Sequence, residues 1–417
     1  MKFSWFWNPL FLLCSALPSQ AGEVDPLESW QREVLKAVRE EAISPNLAVR
    51  NFAILNGAVF DALNSIDARW KPYHFDERPE EKNLLPELIV SGTCHTIAIN
   101  LHPSRKGAFG HLLESHKKEF SGNAPVESSL SLGKRAAHSF LKLRESDGAS
   151  TTLTYYPRLE TGQWRRTPPR QRPPEQPHWR KVKPFCLPNL KEFLPIPPPS
   201  LGSPQYVTAV KEVKMLGAKK STLRTSEQTL IAKFWKDFSY TATPPGHWNE
   251  IAGFVARSRK LSLIEKARLF ALLNYALADA GIVAWESKFR YHLWRPIHAI
   301  RLAGQIQATT SLARKNWVSL LEPPPHPEYV SGHSCYSGTA ARLLANFFGT
   351  DKVSFLARSD GMPGVTRKFS SFRECAEEIG MSRLYGGIHY SFSNRNGLDA
   401  GKEIADYVSD NLLRPVN

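Results

Sequence analysis

Three short segments in the last third of the chain carry residue types that suit a tetrahedral oxyanion. Lys288 stands seven residues before Arg295, which Pro296 follows. Ser331-Gly332-His333 comes after a proline-rich run, and Ser382-Arg383 precedes His389. Together they supply one Lys, two Arg, two His and a Ser-Gly turn. Three cations converging on one buried place are costly unless something anionic neutralises them. Phosphate or vanadate meets that need.

The local spacing says how each group could be aimed. Seven helical steps return to within about 20° of one face and advance about 10 Å along the axis, so a continuous helix would present Lys288 and Arg295 on one side. Pro296 should then end or bend that helix. Ser331 reads as the N-cap of an apolar helical run, which puts the Gly332 amide and His333 at the positive end of a helix dipole. Arg383 and His389 would miss each other by about 120° on an ideal helix. Gly386-Gly387 between them can break the helix and re-aim the chain. Each motif alone also has a plain structural reading: a solvated cationic stripe, an ordinary capped helix, a glycine-terminated helix.

The elements that must carry these groups read as almost entirely helical. Leu27, Trp30, Val34 and Val38 recur at helical spacing, as do Phe52, Leu55, Val59, Leu63 and Ile66 after Pro45. Further helical patterns are expected near 86–101, 106–119 and 126–145, again from about Val207, from Ser226 through Trp235, and from Ser262 through the Lys288 motif. No period-2 run is long enough to predict a sheet. Residues 22–154 form an N-terminal helical region, 155–205 a proline-rich loop or cap, and 206–417 the helical half that carries the motifs.

Composition narrows the function classes. Charged residues make up 22% and hydrophobic ones 42% of 417 residues, a globular balance. Residues 1–21 resemble a secretory signal, with Lys2, an apolar stretch and a small-x-small end at Ser19-Gln20-Ala21, which predicts a periplasmic or secreted protein. Its loss removes Lys2, taking the net charge from +15 to +14, and also removes Cys14. Cys94, Cys186, Cys335 and Cys375 show no paired spacing that would indicate zinc or a dithiol site. One or two disulfides stay open on this reading, as does oligomerisation. The densest basic run, Arg165 to Lys183, lies among prolines that block a recognition helix. It reads as a solvated loop, and no nucleic-acid motif accompanies it. Leu269 to Trp285 reads as a buried helix, so no integral membrane segment is expected after signal removal.

The three segments in this order resemble the superfamily that unites vanadium-dependent haloperoxidases with type-2 phosphatidic acid phosphatases and bacterial acid phosphatases. The soluble haloperoxidases are the nearest resemblance. Ala278-Asp279-Ala280-Gly281-Ile282 leading into Trp285 and Lys288, and Phe234-Trp235-Lys236-Asp237 leading into Pro244-Pro245-Gly246-His247-Trp248-Asn249, extend it over roughly Ser226 to the C-terminus. The resemblance implies a mainly α helical bundle and a vanadate cofactor, with phosphate competing for the same site. Lys288, Arg295 and Arg383 would hold oxygens, Ser331 and the Gly332 amide would add hydrogen bonds, and His333 would be the acid/base. His389 would bond vanadium axially, and Asp237 would orient His333. Hydrogen peroxide and halide would be the substrates, giving hypohalous acid. The alternative is phosphoester hydrolysis through a phospho-His389, because a vanadate cage also resembles a phosphoryl-transfer transition state.

Two departures from the family pattern bear on activity. Val330 replaces the usual Pro before Ser-Gly-His. Ser393 stands where an Asp often follows the axial His, so the resemblance predicts an under-supported His389, a gain on Ser393→Asp, or, at the extreme, a decayed anion-binding site. The halide signals conflict: His326 matches the bromide-oxidising type, where the chloride type has Phe, whereas Trp285 matches the chloride type. Bromide is favoured, because it is the easier halide to oxidise.

Overall fold

The computed structural model describes residues 25–120 and 125–416, so the signal-like segment lies outside the described residues. Helices dominate it: α1 (Pro26–Glu40), α2 (Pro45–Asp67), α3 (Pro86–Leu101), α4 (Lys106–Phe120), α5 (Val126–Leu143), α6 (Pro204–Leu216) and α7 (Ser226–Phe234). They are followed by α8 (Thr243–Ser258), α9 (Leu263–Tyr291), α10 (Pro296–Arg301), α11 (Gly332–Phe348), α12 (Phe372–Tyr385) and α13 (Ser391–Asn411). Proline at the first turn and side-chain caps set several of the starts. The α7 and α9 starts are capping boxes, Thr225 with Gln228 and Ser262 with Glu265.

The 29-residue α9 is the axis of the molecule. It is long and apolar enough to cross a membrane, yet nearly all of it is buried. It packs on α2, α8, α11 and α13. One continuous apolar core therefore runs from Leu27 and Trp30 in α1 to Val408 in α13. Helices α11 and α13 approach closely: a Cβ on Gly338 would lie 2.2 Å from the Leu398 carbonyl oxygen.

Three expectations need correction. A short antiparallel hairpin is present, β1 (Phe355–Arg358) with β2 (Thr366–Phe369), in the register Phe355 opposite Phe369. Four residues per strand are too few to leave a readable alternation, and the pair is held by Phe355 and Phe369 packing into the core. Second, α9 stops at Tyr291 on left-handed His292 (φ 50°), and Pro296 begins α10 instead of ending α9. Third, the basic run is not simply solvated. Arg180 pairs with Glu286 at 2.8 Å, Arg170 with Glu322 at 2.9 Å, and Arg170 and Arg172 reach the main cavity.

The 155–205 segment has only two short 3₁₀ turns, at Trp179–Lys181 and Leu190–Phe193. Asp279 moors it: this fully buried carboxylate on α9 accepts the amides of Phe185, Cys186 and Leu187 at 2.7–2.9 Å. Such concentrated acceptors hold an irregular strap that has no ladder of its own. Cys94, Cys186, Cys335 and Cys375 are free thiols.

The turn between α12 and α13 aims His389. Gly386 caps α12, and Gly387 takes φ 74°. A Cβ on Gly387 would lie 2.2 Å from the Gly217 carbonyl oxygen. Gly387→Ala adds left-handed strain to a backbone clash, and is expected to cost roughly 2–5 kcal/mol. Urea unfolding of the variant checks this, and an unchanged midpoint would contradict it.

Candidate active site

The residues singled out in the sequence converge, but not by one helix face. Lys288 comes from the last turn of α9. Arg295 is the N-cap of α10, reached after the chain turns back at His292. Ser331 caps α11, its Oγ accepting the Ser334 amide, so the Gly332 and His333 amides lie at an N-terminus with no partner inside the helix. Arg383 stands in the last turn of α12, and His389 precedes α13. Lys288, Arg295, Ser331 and Arg383 are wholly buried, and His389 is 2% exposed.

Hydrogen bonds set the aim of each group. Arg295 Nη1 donates to the Ile388 carbonyl at 2.8 Å and to His389 Nε2 at 3.0 Å. Its Nε donates to the His326 carbonyl at 3.0 Å, and its Nη2 lies 2.9 Å from His326 Nδ1. Lys288 Nζ donates to the Glu328 carbonyl at 3.1 Å and to that of Val330. Arg383 Nη1 donates to the Trp235 carbonyl at 2.9 Å, whereas its Nε and Nη2 have no partner among the described residues. His333 Nε2 is likewise buried and unpartnered.

Asp237 does not orient His333. Its Oδ2 lies 3.2 Å from His247 Nδ1, and the Lys236 backbone is the polar group facing the His333 ring. Asp237 instead offsets the charge of Arg383 from nearby. The sequence reading missed Glu328. Its Oε1 lies 2.8 Å from His389 Nδ1 and accepts the Tyr390 amide at 3.1 Å. Ser393, wholly buried, faces the same carboxyl, but neither Ser393 Oγ nor Glu328 Oε2 closes a well-formed hydrogen bond. Only a buried Glu two residues after His326, in a proline-rich stretch, marks Glu328 in the sequence, and that signal names no partner.

Burial governs the protonation of these groups. It pulls Lys288 well below its ordinary value, helped by Arg295, and lowers Arg295 and Arg383 to about 10 and about 9. The rings of His326, His333 and His389 are all driven well below the usual imidazole value by burial and then by the neighbouring cations, so they are neutral at pH 7. Glu328 is raised by burial against the pull of Arg295 and Lys288.

Gly332, His333, Arg383, His389, His326 and Trp285 open on a cavity of 420 Å³, together with Phe238, Tyr240 and Pro244. His326 sits against Trp285, ring centroids 4.9 Å apart, so it is a wall of the site and not a bystander in a loop.

The donor set can be tested against the oxyanion. Three buried cations, Lys288, Arg295 and Arg383, face two buried carboxylates, Glu328 and Asp237, which leaves positive charge uncompensated. Arg383 Nε and Nη2 and His333 Nε2 are buried and unpaired. Each unmet Arg383 donor costs about 1–3 kcal/mol unless a ligand accepts from it. An oxyanion at the α11 N-terminus relieves both deficits, so the residues fit phosphate or vanadate.

The comparisons agree with this geometry. Residues 268–417 match the family model described as the VCPO second helical-bundle domain. Vanadium chloroperoxidase from Curvularia inaequalis is 25% identical over 45% of this chain, and the match spans 40% of that protein's length. The crystal structure of a bacterial vanadium-dependent iodoperoxidase superposes with a TM-score of 0.82 at 26% identity, covering 95% of this chain and 98% of that one. A holo-type bacterial vanadium-dependent chloroperoxidase gives 0.72 at 16% identity, covering 88% and 92%. In its helical bundle and over residues 268–417 the chain is similar to vanadium haloperoxidases.

Proposed function

We propose that this chain is a vanadate-dependent haloperoxidase that oxidises bromide with hydrogen peroxide. The observation that carries the reading is the pair of buried, unpaired donors Arg383 Nε and Nη2, with the unpartnered His333 Nε2 near them, around a helix N-terminus beside an excess of buried positive charge. Lys288, Arg295, Arg383, Ser331 and the Gly332 amide would hold vanadate oxygens, and His389 Nε2 would bond the metal. Bound vanadate supplies a Lewis acid that activates peroxide toward halide, with hypohalous acid and water as products. His333, neutral and facing the cavity, exchanges the protons that this balance requires. Lys288 Nζ is held by the Glu328 and Val330 carbonyls and would donate to the anion from there. The same cage suits phosphate as a competitor. Bromination of a phenol with vanadate and peroxide, set against phosphomonoester hydrolysis without vanadate, decides between the peroxidase and phosphatase readings.

The halide reading rests on His326. Its ring is a polar wall beside Trp285, held through Nδ1 by Arg295. A polar wall tempers the electrostatic gain that an apolar one gives an oxidant in a water-poor site. Bromide turnover is therefore expected to exceed chloride turnover. His326→Phe should raise the chloride-to-bromide ratio, by roughly tenfold if about 1.4 kcal/mol of relative barrier is involved. Steady-state halogenation with each halide separately measures this, and equal ratios in both proteins would remove His326 from the halide argument.

A further inference from the structure

We propose that Glu328 is the positioning carboxylate of His389, taking from the segment before α11 the part that position 393 lacks. Two contacts on opposite sides of one ring fix its tautomer. Arg295 Nη1 lies 3.0 Å from Nε2, and a guanidinium only donates, so Nε2 is the acceptor. Glu328 Oε1 lies 2.8 Å from Nδ1 and accepts, so Nδ1 carries the hydrogen. Nε2 is therefore the unprotonated nitrogen, its lone pair held by Arg295, and this is the tautomer a metal-bonding histidine needs.

The oxygen is itself held in place. The Tyr390 amide donates to the same Oε1 at 3.1 Å. The Glu328 backbone is tied at both ends, its amide donating to the Leu293 carbonyl at 2.8 Å and its carbonyl accepting from Lys288 Nζ. One residue thus links the α9 end, the α11 entry and the α13 entry. Its carboxylate side chain is wholly buried, and so is Ser393 beside it. There is consequently no room for two carboxylates. Ser393→Asp alone, which the sequence pattern favours, would force like charges together in a buried place and is now expected to weaken anion binding.

The roles of positions 328 and 393 should therefore be exchangeable but not additive. Glu328→Leu removes the acceptor. In apo protein labelled with ¹⁵N-histidine, His389 should pass from a single Nδ1–H tautomer to a mixture, and vanadate affinity by calorimetry should fall roughly 10- to 100-fold. Glu328→Gln keeps an acceptor but loses the charge, so the tautomer should persist while affinity drops. Ser393→Asp should weaken binding in the native background and restore it in Glu328→Gln. A native tautomer and native affinity in Glu328→Leu would overturn the assignment. So would Ser393→Asp acting alike in both backgrounds, a comparison that stands even if the leucine variant does not fold. The affinity arms rest on the vanadate reading. The tautomer arm does not, so a wild-type protein that binds no vanadate would defeat that reading while the ¹⁵N spectra still decide the role of Glu328.

Discussion

Arg383→Ala is expected to lower vanadate and phosphate affinity together, by roughly a hundredfold to ten-thousandfold, while leaving the unliganded protein no less stable. The guanidinium has one structural bond, Nη1 to the Trp235 carbonyl, and two donors, Nε and Nη2, that nothing among the described residues satisfies. Charge-assisted bonds contribute about 1.5–3 kcal/mol each, and both would be lost from the complex alone. The unliganded protein loses a wholly buried cation that Asp237 offsets without a salt bridge, which relieves a cost. The two effects are separable by experiment. Calorimetry gives the affinities, and thermal unfolding with and without phosphate gives the stability. The native protein should gain stability as phosphate rises, and the variant should not. Native affinity in the variant would place the anion elsewhere.

His389→Ala is expected to abolish halide oxidation, whereas His333→Ala should slow it roughly a hundredfold to ten-thousandfold and leave much of the anion affinity. The geometry assigns the two rings different work. His389 is clamped between Arg295 and Glu328 with Nε2 unprotonated, so its loss would remove the nitrogen that would hold vanadium and would strand the carboxylate. His333 makes no such bond. It stands in the first turn of α11, open to the cavity, with Nε2 unpartnered. A proton carrier that slows turnover when removed, but is not part of the anion's main support, has this profile. Equal loss of vanadate affinity in both variants would end the division of roles.

Most of the cage was legible in the sequence because its signals are local. A Ser before Gly-His and an apolar run is an N-cap whatever surrounds it, and α11 starts there. Gly386-Gly387 must interrupt a helix, and Gly387 takes the left-handed φ that only glycine adopts freely. The helices at 86–101, 106–120 and 126–143 follow from periodicity and proline starts. Lys288 and Arg295 were rightly associated but for the wrong reason. Their spacing suits one helix face, yet left-handed His292 ends α9 and the chain returns Arg295 from a separate turn. Histidine is enriched at positive φ among non-glycine residues, but such residues are uncommon, so that preference alone does not mark His292 as a helix end.

The sequence by itself determined the cations and histidines that cluster here, the caps and breaks that aim them, and the helical class, all of which depend on neighbours a few positions apart. Only the tertiary structure decided what each group faces. Glu328 meets His389 across 61 residues, Asp237 turns to His247, and Arg170 and Arg172 leave a proline-rich loop to reach the cavity. Those pairings follow from how α9, α11 and α13 pack. A buried charge takes whichever partner the packing brings within about 3 Å, because desolvation leaves it no alternative in water.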